Sequence, residues 1–383
     1  MKVCLLSSGH SPADERIFYK EARSLAGVYD EVWIVSPHAS EIPVSRDGVS
    51  FLPIRNFPRN LRGRAGTIRE LTRVALDLGA DVYHCHEPES LLAALETKKR
   101  LGCKVIFDSH EMYGAALAQR FPAVLHRPVM GAYSALEKRK VRQCDFVIGA
   151  SWSISEHLSR FAGPEKTETI LNCPLPGIFG EAGERPWGDE TVLCHDGSLP
   201  FSRGLVTMVR AVGIVSRRHR VRLRIVGDVY GAERAWLQRY VREHRLEGVI
   251  ETTGWLDYRD VGKAMAGCHI GLIALERLPN HVIAAPNKLF NYMHFGMPVV
   301  VPDFCIDMKR LVGEERCGIA ADSASAESYA AAITVLIEQR DESEGMGRRA
   351  ASASRERYSW TVMERRLLGI YRGLEVRRLP ALA

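Results

Sequence analysis

The sequence predicts an α/β protein of two domains, each a doubly wound parallel sheet with helices on both faces. Three observations carry this expectation. Short continuous apolar runs alternate with amphipathic stretches from one end of the chain to the other, and strands buried on both faces read as unbroken apolar segments. The alternation occurs twice, on either side of a stretch at 172–189 rich in Pro, Gly and charge. A chain of 383 residues also suits two domains better than one.

In the first half the apolar runs predict strands at 2–7, 31–35, 49–54, 82–85, 104–108 and 145–149. Between them, Phe18, Ala22, Leu25 and Val28 share one face of a helix over 14–28, and Leu91, Leu92 and Leu95 one face over 88–101. The second half predicts strands at 191–195, 222–226, 249–253, 268–274, 297–301 and 317–321. The stretch 172–189 reads as the linker. The domains are therefore drawn at 1–175 and 176–357, with a terminal helix over 358–383. Two such sheets in series imply a ligand cleft at the carboxyl ends of their strands. Architecture alone suits binding proteins and epimerases equally.

Composition sets limits. Hydrophobic residues make up 46% and charged residues 26%, with a formal charge of +6. That balance is ordinary for a globular chain and too weakly basic for a dedicated nucleic-acid binder. It suits an anionic small ligand or a weak attraction to anionic membrane. The nine cysteines form no CxxC pair and no zinc spacing, and Cys4, Cys103, Cys194 and Cys268 lie in apolar runs. They read as buried reduced thiols. The first apolar stretch is too short for a signal peptide and reads as a strand. No run approaches the ~18 uncharged apolar residues of a membrane span. A cytoplasmic protein is expected.

The first strand ends in Ser7-Ser8-Gly9-His10, and Asp14-Glu15-Arg16 opens the following helix. Gly9 would let backbone approach a ligand, or mark an ordinary turn; Asp14 suits a helix cap. His84 and His86 stand two apart on a strand and so share a face. A metal pair is one reading, but no third ligand is evident in the sequence. Structural or substrate-contacting roles at the strand's end, together with Glu87, fit better. His110 follows the strand ending at Asp108, where ligand contacts collect.

In the second half Asp196-Gly197-Ser198 ends a strand and Arg203-Gly204 opens a helix. An arginine beside unpaired N–H groups at a helix start suits a diphosphate. Pro286-Asn287-Lys288 opens another helix, with Pro286 at its first position, Asn291 one turn inside and the end near Phe295. Only alanines, Ala284 and Ala285, precede it, so its first N–H groups are left for an anion.

These motifs resemble the retaining glycosyltransferases of family four, which have the GT-B fold. The similarity runs through ADERIFYKEARSLA, DVYHCHEPESLLAAL, KVIFDSHEMY, HDGSLPFSRGL, LRIVGD, ETTGWLD and, above all, APNKLFNYMHFGMPVVVPD. The resemblance implies transfer of a sugar from a nucleoside diphosphate, without a metal or other cofactor, to a sugar, lipid-linked or small-molecule hydroxyl. Syntheses of surface polysaccharides, glycolipids or secondary-metabolite glycosides are the expected settings. It assigns Arg203 and Lys288 to the diphosphate and His110 to the donor sugar. Gly197, Ser198 and the backbone of Pro286 and Asn287 would meet phosphate and sugar, with Gly9 bordering them. Gly227 and the turn Thr253-Gly254-Trp255 would lie near the base. His10, Asp14, Arg16, His86 and Glu87 fall on the acceptor side. Preorganised positive charge on the leaving diphosphate does the work of catalysis, and no carboxylate nucleophile is expected.

Two motifs depart from the family pattern, at three positions. Its paired glutamates fall on Ile283 and Asn291, and a usual arginine falls on Ser198. An amide holds a ribose hydroxyl pair more weakly than a carboxylate, by about 1 kcal/mol per bond. A catalytically impaired nucleotide-sugar-binding protein and a GT-B epimerase are therefore the rival expectations. Finally, Arg55, Arg59, Arg62, Arg64, Arg69 and Arg73 cluster with Phe57 and Leu61, opposed only by Glu70. Peripheral contact with anionic membrane, at the inner face of the plasma membrane, is expected there; a solvated charged face is the alternative.

Overall fold

The computed structural model describes residues 1–38, 43–58, 60–180 and 186–376. The chain forms two compact units, Met1–Leu171 joined by the chain from Met363 onward, and Asn172–Val362.

The first unit is built on an eight-stranded sheet. In chain order its strands are β1 (Lys2–Leu6), β2 (Glu31–Ser36), β3 (Ser45–Arg46), β4 (Val49–Pro53), β5 (Val82–Cys85), β6 (Lys104–Ser109), β7 (Phe146–Gly149) and β8 (Thr167–Thr169). The spatial order is β3-β4-β2-β1-β5-β6-β7-β8. All pairs are parallel except the β3–β4 ladder. Every β5 side chain is buried, and so are Val3 to Leu6 of β1, because helices cover both faces. β2 lies on one side of β1 and β5 on the other, so the connections change direction at β1/β5. That is the point in an open α/β sheet where ligands bind.

The second unit carries a six-stranded, wholly parallel sheet. Its strands are β9 (Thr191–Asp196), β10 (Val221–Val226), β11 (Ile250–Thr252), β12 (Ile270–Leu272), β13 (Val299–Pro302) and β14 (Gly318–Ala321). They lie in the order β11-β10-β9-β12-β13-β14, which puts the reversal at β9/β12. Leu193, Leu223, Ile270 and Val300 pack with Met208, Val212, Tyr329 and Ile333 of the covering helices in one buried core.

The structure adds detail that patterning missed. β3 and β8 are two and three residues of largely polar chain; such short edge strands carry no apolar signature. The helix predicted over 14–28 begins as a π-helical stretch, Glu15–Ala22, before the α-helical turn Arg23–Ala26. Asp14 caps it by accepting from the N–H groups of Arg16 and Ile17. The stretch 172–189, read as a linker, contains a short helix, Pro176–Phe179. The last helix, Trp360–Val376, starts in the second unit. From Met363 on it belongs to the first, where the Tyr371 hydroxyl meets His84 Nδ1 at 3.0 Å.

Candidate functional site

Each unit places its chemistry at its own reversal point. In the first, the loop after β1 and the start of the helix Pro88–Leu101 meet at Glu87. Ser7 Oγ donates to Glu87 Oε1 at 2.7 Å, and the Ser8 N–H to Oε2 at 2.9 Å. His10 stands above, with Nε2 3.5 Å from Glu87 and Nδ1 3.3 Å from Asp14. Burial pulls the His10 imidazole down, but the Asp14 hydrogen bond and the charges of Glu87 and Asp14 outweigh it, and its pKa rises. The His110 ring lies edge-on to His10, centroids 5.1 Å apart. Ser8, Gly9, His10, Glu87 and His110 line a cavity of about 530 Å³ together with Phe57, Tyr113 and Tyr133. A Cβ on Gly9 would meet nothing within 4 Å, so the space beside it is open. The cavity offers a carboxylate, two imidazoles and aromatic faces, the groups that bind a hydroxyl-bearing ring.

Arg16 and His86, expected on the acceptor side, do not line the cavity. Both are buried and turn beneath the cavity floor, where Arg16 Nε pairs with Asp108 Oδ2 at 2.7 Å and Glu21 Oε1 at 2.9 Å. His86 reaches the cavity only through His110, Nδ1 to Nε2 at 3.3 Å. No third ligand for the histidine pair is evident in the sequence, and the fold brings Glu21 and Asp108 to the same point.

In the second unit, the loop after β9 runs Asp196-Gly197-Ser198 and then turns through Pro200 to Gly204 into the helix Leu205–Val215. No side chain caps that helix. Gly204, at φ +85°, lies so close to Ala274 that a Cβ would stand 1.8 Å from its carbonyl oxygen. Gly204→Ala should cost about 1–3 kcal/mol through overpacking and left-handed strain, read as a lower denaturation midpoint. Gly227, at φ +152°, packs on the Gly197 backbone, 2.5 Å from where a Cβ would sit. Its N–H donates to Thr253 Oγ1 at 3.0 Å, tying the ends of β10 and β11 together. The neighbouring Trp255 is 75% exposed, a bare ring beside that seam.

Arg203 and Lys288 face the same loop. Arg203 Nη1 donates to Ser198 Oγ at 3.0 Å. Lys288 Nζ lies 3.3 Å from His195 Nε2 and 4.0 Å from where a Gly197 Cβ would stand. The helix carrying Lys288 spans Asn287–His294, with Pro286 as its uncapped N-terminal boundary rather than its first residue. It is not wholly open, since Asn287 Oδ1 accepts from the Lys288 N–H at 2.9 Å. Burial, and then the Arg203 charge, pull the Lys288 ammonium down to about 7. The folded state thus binds this proton less tightly than the unfolded chain. Between about pH 7 and the unfolded lysine range near 10.4, its contribution to stability rises with pH. Lys288→Met should therefore raise the thermal midpoint near neutral pH; a lowered midpoint would contradict this.

Asn291 donates through Nδ2 to Asp196 Oδ2 at 2.7 Å, and its own Oδ1 has no partner. The resemblance put weight on Asn291 and missed Asp196, whose place beside it appears only when β9 and the helix pack. Ile283 ends the short turn Pro279–Val282.

The arginine cluster is less one-sided than the sequence suggests. Asp77 joins Glu70 on Arg73, and Glu89 pairs with Arg64; Arg59 lies outside the described residues. Among the described residues no helix is long and apolar enough to cross a membrane.

Comparison with known proteins agrees with this layout. Residues 190–339 match the family model described as glycosyl transferases group 1, and residues 15–173 match glycosyltransferase family 4. No curated protein matches the sequence. Among solved structures, sucrose-phosphate synthase from Thermosynechococcus elongatus superposes with a TM-score of 0.78 at 14% identity, over 98% of this chain and 99% of its own. Anabaena HepE in complex with UDP gives 0.74 at 14% identity, over 97% and 100%. HepE has also been solved with UDP-glucose. At such identities the likeness establishes the GT-B fold.

Proposed function

We propose, from the premise that this chain belongs to the group 1, family 4 glycosyltransferases, that it transfers a sugar with retention from a nucleoside-diphosphate sugar to a hydroxyl acceptor. One observation carries the reading. Arg203 and the buried Lys288 are directed at one glycine loop, and after burial it is the Arg203 charge that disfavours the Lys288 ammonium. A diphosphate relieves that repulsion and accepts their hydrogen bonds. As the sugar leaves, charge develops on the diphosphate, and the same pair stabilises it without rearrangement. The backbone of Gly197, Ser198, Pro286 and Asn287 lines the phosphate and sugar positions. Gly227, Gly254 and Trp255 flank the base. The Asp196–Asn291 pair takes the ribose hydroxyls, with the carboxylate moved from one residue to its neighbour. This chemistry needs no metal at the diphosphate.

In the first unit the cavity of His10, Glu87 and His110 takes the acceptor and the adjoining sugar, with Asp14 fixing the His10 ring. The leaving phosphate assists removal of the acceptor proton. The arginines from Arg55 to Arg73 hold the enzyme weakly to an anionic membrane; vesicles rich in anionic lipid should retain it at low salt and release it as salt rises, and failure to bind at low salt contradicts this clause.

Two measurements test the reading. With a panel of nucleotide sugars and acceptor extract, nucleoside diphosphate should be released with transfer of the sugar. Binding without turnover, or interconversion of the sugar without release, overturns it. Diphosphate binding should also restore the Lys288 proton. Calorimetry with UDP at about pH 8, in buffers of different ionisation enthalpy, should show net proton uptake approaching one; no uptake removes Lys288 from the site.

A further inference from the structure

Beneath the acceptor-side cavity, four side chains from three separate elements converge: Glu21 from the π-helical stretch, His84 and His86 at the end of β5, and Asp108 from β6. One candidate ligand atom from each lies within 4.8 Å of the others. All four side chains are fully buried. We propose that these four residues bind one divalent cation of the zinc class.

The orphaned atoms make the case. Glu21 Oε2, Asp108 Oδ1, His84 Nε2 and His86 Nε2 are all buried without a hydrogen-bond partner, a costly state for one atom and a rare one for four together. The other atom of each group faces a partner, although Glu21 Oε1 meets Arg16 as an ion pair only and has no hydrogen bond either. Arg16 Nε lies on Asp108 Oδ2 and Glu21 Oε1. His84 Nδ1 is held by the Tyr371 hydroxyl, and His86 Nδ1 by His110. Ligating histidines are oriented in this way, with the remote ring nitrogen anchored and the near one presented as a lone pair. His86 Nε2 lies 3.6 Å from Glu21 Oε2, and the four candidate ligand atoms lie within 4.8 Å of one another. Bonds of about 2.0–2.2 Å to nitrogen and oxygen in a tetrahedron set ligand spacings of about 3.4 Å, so the four groups would draw together on loading.

A proton shared by the two carboxylates is the competing occupant. It suits the charge count, since Arg16 offsets only one carboxylate, and burial raises the Glu21 carboxyl well above the usual range. One proton, however, bridges two atoms and leaves the imidazole nitrogens unserved. A buried water has two hydrogens, too few where both imidazoles present lone pairs beside the two carboxylate oxygens. A four-coordinate ion satisfies all of them, and two imidazoles with two carboxylates suit zinc better than magnesium or calcium. With every ligand buried, the ion is structural and loads as the unit folds.

The full-length protein, produced with zinc in the medium and purified without chelator, should contain about one zinc ion per chain by elemental analysis. Cobalt substituted for it should show the intense visible absorption of a four-coordinate site. Glu21→Gln keeps the side chain's shape and removes an anionic ligand, so its zinc retention against a competing chelator should fall at least tenfold. Wild-type protein that stays zinc-free when zinc is supplied, and whose thermal midpoint is indifferent to both zinc and chelator, overturns the proposal. A Glu21→Gln variant as stable as wild type in that state then assigns the cluster to a proton.

Discussion

Replacing Arg203 with alanine should raise the Kd for UDP by roughly ten- to a hundredfold, because a lost charge-assisted contact costs about 1.5–3 kcal/mol. The guanidinium sits at an exposed turn, held to Ser198, so folding should tolerate its removal and the loss should appear in binding. With Arg203 gone, Lys288 loses a repelling neighbour and its pKa should climb from about 7. The proton uptake that accompanies UDP binding above neutral pH should then shrink. Arg203→Lys should recover part of the affinity, since the charge remains and the two-pronged geometry does not. Titration calorimetry of the three proteins reads both effects. Unchanged UDP affinity in the alanine variant would remove Arg203 from the diphosphate.

Replacing Arg16 with methionine should destabilise the first unit by about 3–5 kcal/mol, the usual cost of removing one partner from a buried ion pair. Arg16 Nε contacts two buried carboxylates, and Nη1 donates to the Ile170 carbonyl at 2.8 Å. Methionine fills part of the volume and answers none of these groups. Asp108, held well below the usual carboxylate range despite burial by Arg16 and then His110, would have to take up a proton or face its neighbours uncompensated. Arg16→Met combined with Asp108→Asn should cost less than the two single changes added together, because the second removes the charge the first exposes. Denaturation followed by hydrogen exchange, which resolves the two units, is the measurement. A midpoint unchanged within error would mean that the ion pair contributes nothing to the fold.

The sheets were legible because parallel strands buried on both faces write themselves as apolar runs, as in VVV at 299–301 or VLC at 192–194. The π-helical entry at Glu15–Ala22 was not, since its pitch depends on what packs against it. The clusters Arg203-Gly204 and Pro286-Asn287-Lys288 were visible as motifs because each is local, within one turn. The buried quartet could not. Glu21 and Asp108 are 87 residues apart in sequence, and only the pairing of β5 with β6, and the helix laid over them, brings them to the histidines. For the same reason a motif could mark Arg16 and His86 as important without revealing that they face inward. Asp196 was hidden behind its neighbour, because a family pattern pointed to position 291 and said nothing of a carboxylate at the end of another strand.

The claim that matters most is that the second unit gathers Arg203 and Lys288 around a pyrophosphate, and a crystal structure of the protein soaked with UDP addresses it directly. Diphosphate oxygens should lie within hydrogen-bonding distance of both side chains, against the Gly197 loop, with the uracil toward Trp255. A nucleotide found bound away from these two cations would contradict it.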